Sequence, residues 1–322
     1  MSLEYQAVGF GSHHWLATDA GGGRVFATVD DLTAKLRTAQ DTADAAFGRL
    51  GDAFATALSL RADAGLGFVI APVPASDGRV LARLSGRYSL VVHPYIAGSA
   101  AGEDGEFAQA SDRRAVLDLL VRLHRARAGA PRADDFVVPH LDVLPQMMRE
   151  PREAWRDGPY ARRAWGLLHA HAAGLDVLMS AYASLAGRVA QRQDRLVITH
   201  GEPHAGNVMM TSGGLVLVDW DTVLLAPPER DLWSIADDDK SALDHYARAA
   251  GVQIDQDALS LYRLWFDLAE IGGYLTLFRA SHDDTPDAAE SWSNLQHFLR
   301  PAERWPAVSN PARTAQDPET AI

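Results

Sequence analysis

The apolar pattern of this chain changes period near residue 98, and that change limits the folds open to it. Before it, "YQAVGFGSHHWLAT", "RVFATVDDL", "GFVIAPV", "GRVLARL" and "YSLVVHPYIAG" are rich in β-branched and aromatic residues and read as strands. The glycine-rich "DAGGG" joins the first two as a hairpin. Among these strands, "TADAAFGRLGDAFATALSLRADAG" sets Ala, Leu and Phe at helical spacing and stops at Gly65. Together they predict a small antiparallel sheet with one helix packed on it. Beyond residue 98 the chain reads as helices. In "SDRRAVLDLLVRLHRARAG", Val116, Leu119, Leu120 and Leu123 form one apolar stripe, with Ser111 as the expected N-cap. His124, one residue past the stripe, reads as a packed helical histidine. "PREAWRDGPYARRAWGLLHAHAAGLDVLMSAYASLAGRVAQRQD" predicts two helices, with breaks at Gly158-Pro159 and at Gly174.

With 322 residues and 47% apolar content, the chain exceeds the usual single compact domain, and two lobes are expected. There is no cysteine, which excludes a disulfide framework, a thiolate nucleophile and a sulfur-ligated zinc, and suits a reducing cytosol. The first residues lack a basic stretch followed by an apolar one, and no run approaches the ~18 apolar residues of a membrane span. A cytoplasmic location is the expectation. The net charge of −12 disfavours nucleic acid and anionic membranes as partners and favours small cations, although solubility alone explains an acidic surface equally well.

The densest chemistry lies in "RLVITHGEPHAGNVMMTSGGLVLVDWDTVLLAPPERDL", residues 195–232. A buried strand leads to a turn held by Gly201 and Pro203, then a hairpin turning at "TSGG" returns the chain to "VLVDWD". Glu202, Asn207 and Asp219 are thereby expected at one end of a small sheet. An asparagine and an aspartate as oxygen donors suit Mg²⁺, which retains waters and binds substrate phosphates. The remaining carboxylate can accept a hydroxyl proton and orient a nucleophile. His200 and His204 flank Glu202, but Gly201 and Pro203 oppose the helix that a zinc-protease pattern needs, and His200 reads as a brace of the loop.

"HGEPHAGNVMM" followed by "LVLVDWDTVLLAPPERDL" resembles the catalytic and metal-binding segments of the aminoglycoside phosphotransferase family, small-molecule kinases with a protein-kinase-like fold. The resemblance implies an α+β, two-lobed fold, with a small antiparallel-sheet N-lobe and a larger, mainly helical C-lobe. It divides the chain into a nucleotide-binding lobe at 1–92, a hinge at 93–98 and a helical lobe at 99–302; the polar, proline-bearing residues 303–322 read by composition as a disordered tail. Residue by residue, it places Glu202 on the catalytic aspartate of H-G-D-x-x-x-x-N, Asn207 and Asp219 on the metal ligands, and Asp231 on a brace of the catalytic loop. It also implies ATP or GTP with Mg²⁺, covered by Gly11, Ser12 and His13, with the purine edge meeting His93 and Tyr95 around the donor-less Pro94. The acceptor implied is a small cationic molecule such as an aminoglycoside or aminocyclitol, met by Asp267 and Glu270 in "LWFDLAEIGGYL". A non-catalytic nucleotide or metabolite sensor in the same cleft is the rival reading.

Two positions depart from the family pattern. Where the family's third strand carries a phosphate-binding lysine, "RVFATVDDL" offers Thr28, and the next helix lacks the partner glutamate. Arg24, Lys35, Arg61 or a loop histidine are the available substitutes. At the catalytic position, Glu202 lengthens the carboxylate arm by one methylene.

Overall fold

The computed structural model describes residues 2–6, 12–103, 106–107, 109–236, 239–300 and 304–305. Its contacts fall into two units, one of Met1–Leu36, Asp41–Asp135 and Arg192–Leu259, the other of Arg37–Gln40, Phe136–Gln191 and Ser260–Ile322. The expected tail lies outside the described residues, apart from Arg304 and Trp305.

The first unit opens with strands β1 (Ser2–Gln6), β2 (Ser12–Thr18) and β3 (Arg24–Asp31), helix α1 (Ala43–Ala62), and strands β4 (Leu81–Arg83) and β5 (Tyr88–Pro94). They form one antiparallel sheet in the order β1-β2-β3-β5-β4. The hairpin between β2 and β3 closes through Asp19, whose carboxylate accepts the Gly21 and Gly23 amides at 2.8 Å each. Thr42 caps α1 by accepting the Ala45 amide, and the Ala46, Leu50 and Phe54 face packs with Leu32, Leu81 and Val91. The expected sheet-plus-helix is present. "GFVIAPV" is not a strand, however. Val69 makes a single parallel bridge to Leu217, and Pro72 and Pro74 withhold the amides that a ladder requires.

Three short strands follow, β6 (Ser99–Ala100), β7 (Gly102–Glu103) and β8 (Glu106–Phe107), then α2 (Ala110–Arg125). The α2 cap is Gln109, without a side-chain bond, and Ser111 lies inside the first turn, a correction to the expected cap. His124 is 5% exposed and packed, as its position one residue past the stripe suggests.

The second unit holds α3 (Leu144–Met147) and α4 (Ala161–Val189). Ahead of Gly158-Pro159, in place of the expected helix, only a single 3-10 turn at Arg152–Ala154 forms, and Gly174 sits within an unbroken α4. An interior glycine costs only about 1 kcal/mol against alanine, and the buried Leu168, Leu175, Leu178 and Tyr182 on either side hold the helix together.

Returning to the first unit, β9 (Val197–Thr199), β10 (Val208–Thr211), β11 (Gly214–Leu217) and β12 (Leu224–Ala226) carry the motif, followed by α5 (Glu229–Ala236) and α6 (Lys240–Ala250). β10 pairs with β11 on one side and with β6 on the other, and β9 pairs with β12. Gly98 is required beside β10: a Cβ there would stand 2.4 Å from the Met210 carbonyl oxygen. The apolar core beneath gathers Val116, Leu120, Ile198, Leu217, Trp220 and Leu232. Helices α7 (Gln256–Arg279) and α8 (Pro286–Phe298) complete the described elements. None of the described helices is long and apolar enough to cross a membrane.

Candidate active site

The site is set by hairpin register. Val208 faces Leu217 at the end of the β10–β11 ladder, and one step further the Val218 amide donates to the Asn207 carbonyl at 3.0 Å. Asn207 therefore lies beside Asp219, twelve residues away in sequence. Trp220, fully buried, anchors the turn by donating to the Leu217 carbonyl at 2.9 Å.

The loop that delivers Glu202 is braced from behind. Asp231, on α5, accepts the His200 amide at 2.9 Å and the Gly201 amide at 2.6 Å, and His124 Nε2 donates to the same carboxylate at 3.0 Å. Burial raises the Asp231 pKa, but the His124 hydrogen bond and the neighbouring His124, His200 and Arg230 outweigh it, so the net shift is downward. His200 donates from Nε2 to the Val218 carbonyl at 2.8 Å and receives the Glu202 amide at Nδ1, which fixes one tautomer; burial lowers its pKa and keeps it neutral. Gly201 has φ of 104°, and Arg230 is spread behind it, donating to Thr199 Oγ1 and to the Thr222 carbonyl at 2.9 Å each.

In front of the brace, Asn207 Nδ2 donates to the Glu202 carbonyl at 3.0 Å and approaches His204 Nε2 at 3.3 Å, which orients the amide oxygen away from both. Asp219 adopts φ of 62°, an uncommon left-handed backbone for a residue with a side chain. It keeps an exposed surface. Its pKa is raised well above the usual carboxylate range, first by the charge of Asp221 and then by desolvation, with Glu202 and Asp30 adding to the repulsion. The Asp221 pKa moves down because Lys35 outweighs the cost of burial. A hard divalent cation fits this donor set, since it would relieve the repulsion that now raises Asp219. Among the described residues no three His, Asp or Glu side chains form a metal cage. Mg²⁺ typically takes one or two protein carboxylates and completes its shell with phosphate and water, so Asn207 with Asp219 is a donor set of suitable size.

On the sheet, Ser12 Oγ donates to Asp30 at 2.6 Å, and His14 Nδ1 lies 3.1 Å from Thr28 Oγ1. His13 is exposed, 6.4 Å from Tyr5 and 6.1 Å from Trp15 by ring centroids. Gly11 lies outside the described residues. β5 runs on through His93 to Pro94, so its last two residues lie within the expected hinge at 93–98. His93 Nε2 is buried without a hydrogen-bond partner, and the Arg24 guanidinium sits 3.9 Å over the Tyr95 ring. In the second unit, Asp267 is 2% exposed and accepts Arg304 through both oxygens at 2.8 Å, plus Trp305 Nε1 at 2.7 Å. Burial raises the Glu270 pKa against a hydrogen bond to Tyr274.

Two site residues, Asp221 and Asp30, escaped the motif reading, and Lys35, one of the cations named as a substitute for the strand lysine, lies with them. Asp221, Asp30 and Lys35 join the cluster, Lys35 donating to Asp221 at 2.7 Å and lying 3.7 Å from Asp30. The signal for Asp221 is present in "DWD", two carboxylates two positions apart; Asp30 had none.

The sequence model of the phosphotransferase enzyme family matches residues 9–270 of this chain. The protein StrN of Streptomyces griseus is 30% identical over 257 residues, 74% of each chain. A spectinomycin phosphotransferase solved with ADP and spectinomycin superposes with a TM-score of 0.69 at 15% identity, covering 94% of this chain and 92% of its own. An amicoumacin kinase solved with AMP-PNP and Ca²⁺ gives 0.57 at 13% identity, covering 96% and 88%. At these identities the two structures show a shared fold.

Proposed function

Because this chain belongs to the phosphotransferase enzyme family and has the α+β, kinase-like fold of its small-molecule kinases, we propose that it moves the γ-phosphate of ATP, or of GTP, to a hydroxyl of a small cationic acceptor. An aminoglycoside or aminocyclitol is the favoured class. The observation that carries the reading is the braced end of the β10–β11 hairpin, where Glu202, Asn207 and Asp219 lie together over the Asp231 support.

In this reading residues 1–92 hold the nucleotide, 93–98 form the hinge and 99–302 carry the catalytic loop and acceptor side. Ser12, His13, His93 and Tyr95, with Gly11, line the nucleotide. Asn207 and Asp219 would hold Mg²⁺, which when bound neutralises phosphate charge. Glu202 orients the acceptor hydroxyl and takes its proton late in a loose transition state; the bond from the γ-phosphorus to the bridging oxygen breaks, the nucleoside diphosphate leaves with that oxygen, and the proton moves from the acceptor oxygen to the Glu202 carboxylate as the acceptor oxygen bonds to phosphorus. His200 and Asp231 keep the loop in place throughout. On the acceptor side Glu270 supplies negative charge, and Asp267, already paired with Arg304, shapes the wall beside it. The acidic net charge of −12 suits a cationic acceptor, and a spectinomycin phosphotransferase and a choline/ethanolamine kinase are among the proteins of like fold. Family membership favours the enzyme over the sensor.

The test is consumption of ATP and GTP by the purified protein with Mg²⁺ across aminoglycosides, spectinomycin-like aminocyclitols, nucleoside antibiotics and simple amino alcohols, with mass detection of the product. An acceptor heavier by one phosphate is expected. Nucleotide binding with no acceptor phosphorylated, even at high acceptor concentration, would move the assignment to the sensor.

A further inference from the structure

The third strand has Thr28 where the family resemblance expects a cation, and Thr28 is tied to His14 at 3.1 Å. Of the positive groups named as substitutes, most are engaged elsewhere. The Arg24 guanidinium lies over the Tyr95 ring, and Arg61 donates to the Gly67 carbonyl. His13 stands by Tyr5 and Trp15, and His14 stacks on Phe26 at 5.2 Å. Lys35 alone among them reaches the carboxylates of the site, at 2.7 Å from Asp221 and 3.7 Å from Asp30.

The loop that carries Lys35 is built to hold it. At the end of β3, Asp31 accepts the Thr33 amide at 2.9 Å and pairs with Arg87 at 2.5 Å, which fixes the turn. Leu32 is fully buried in the core under α1, and its amide bonds to the Arg87 carbonyl at 2.8 Å. On α1, Arg49 donates to the Lys35 carbonyl at 3.0 Å while paired with Asp41 at 2.5 Å. The helix that elsewhere offers a glutamate to the strand lysine here grips the backbone of a lysine on the loop.

We propose that Lys35, delivered from the loop after β3, is the phosphate-binding cation of this enzyme and stands in for the strand lysine absent at Thr28. The role rests on the kinase reading above. Its side chain is 28% exposed, so it retains access to a ligand while Asp221 holds it in place. A lysine ammonium carries three donors, enough to meet an aspartate and a phosphate oxygen together. Ser12 donating to Asp30 fixes the second carboxylate beside Lys35.

Titration calorimetry in EDTA with ADP and with adenosine separates the phosphate contribution from the base, free of any metal. Wild type is expected to bind ADP more tightly than adenosine. Lys35→Met should lose about tenfold or more in ADP affinity with adenosine affinity unchanged, the loss expected for one charge-assisted contact. Since the single change strands the Asp221 charge, Lys35→Met/Asp221→Asn is the folding-safe partner, and it should show the same selective loss at a near wild-type melting temperature. Thr28→Lys in the Lys35→Met background should recover part of the ADP affinity. Unchanged ADP preference in both Lys35 variants, or equal loss of ADP and adenosine, overturns the role and leaves the kinase reading intact. Absence of nucleotide binding by wild type with and without Mg²⁺ would overturn both.

Discussion

The Asp231 carboxylate and the Gly201 amide, thirty residues apart in sequence, meet at 2.6 Å, and this contact joins α5 to the loop that carries Glu202. The same carboxylate takes the His200 amide and His124. Asp231→Ala would leave two buried amides without their acceptor, a loss of about 3 kcal/mol or more. Asp231→Asn, which keeps one acceptor oxygen, should cost less. Urea unfolding of the three proteins checks the order, and an Ala variant as stable as wild type would refute the brace.

Glu202 faces outward from a loop secured behind it, so its chemistry and its fold are separable. Glu202→Gln is expected to unfold at the wild-type temperature and to lose about a hundredfold or more in kcat. Single-turnover transfer to the identified acceptor is the measurement; an unchanged rate removes Glu202 from the reaction.

Asp219 sits against Asp221 with its pKa raised, and its removal should relieve that repulsion while deleting a metal donor. Asp219→Ala should therefore abolish phosphate transfer and weaken Mg²⁺ binding without loss of stability. Full turnover by this variant would dismiss the metal assignment.

Gly201 has φ of 104°, and an added Cβ would stand 2.5 Å from Arg230 and 2.6 Å from Thr222 Oγ1. Backbone strain of this kind costs on the order of 1–3 kcal/mol. Gly201→Ala should lower the melting temperature and depress kcat, and an additional Arg230→Ala change should recover only the clash with Arg230, leaving the backbone strain and the contact with Thr222 Oγ1. Differential scanning calorimetry of the single and double variants separates the two.

Burial lowers the His93 pKa to about 4, with Asp221 opposing and His14 assisting that shift. The unfolded chain, near 6.5, binds a proton that the folded chain refuses, so this group's contribution is present above pH 6.5 and is lost as pH falls from 6.5 to about 4. The slope is at most about 1.4 kcal/mol per pH unit. Urea midpoints across that range should flatten in His93→Phe, whose ring suits the neighbouring Phe54; parallel curves for the two proteins would exclude His93 as the source.

The parts of the fold legible in the sequence are those fixed by near neighbours. Strand alternation, the "TSGG" turn and the Gly201-Pro203 loop each depend on a few consecutive residues, and the turn alone dictates that Asn207 and Asp219 end up side by side. What escaped depends on distant partners. Lys35 finds Asp221 186 positions away, and no local period encodes that meeting. Asp267 acquired its partner from Arg304, in a stretch whose polar, proline-bearing composition suggested a tail. Gly174 was misleading for the opposite reason: apolar contacts along α4 outweighed one weak local preference.

β10 holds β6 along one edge and β11 along the other, and β11 in turn takes residues 68–70 onto its end. The strands that flank the reacting groups thus come from stretches of chain made early in synthesis, while the groups themselves emerge later. The reaction centre therefore depends on stretches of chain far apart in sequence, and a chain stopped before Glu202 would hold the flanking segments without any of the reacting groups.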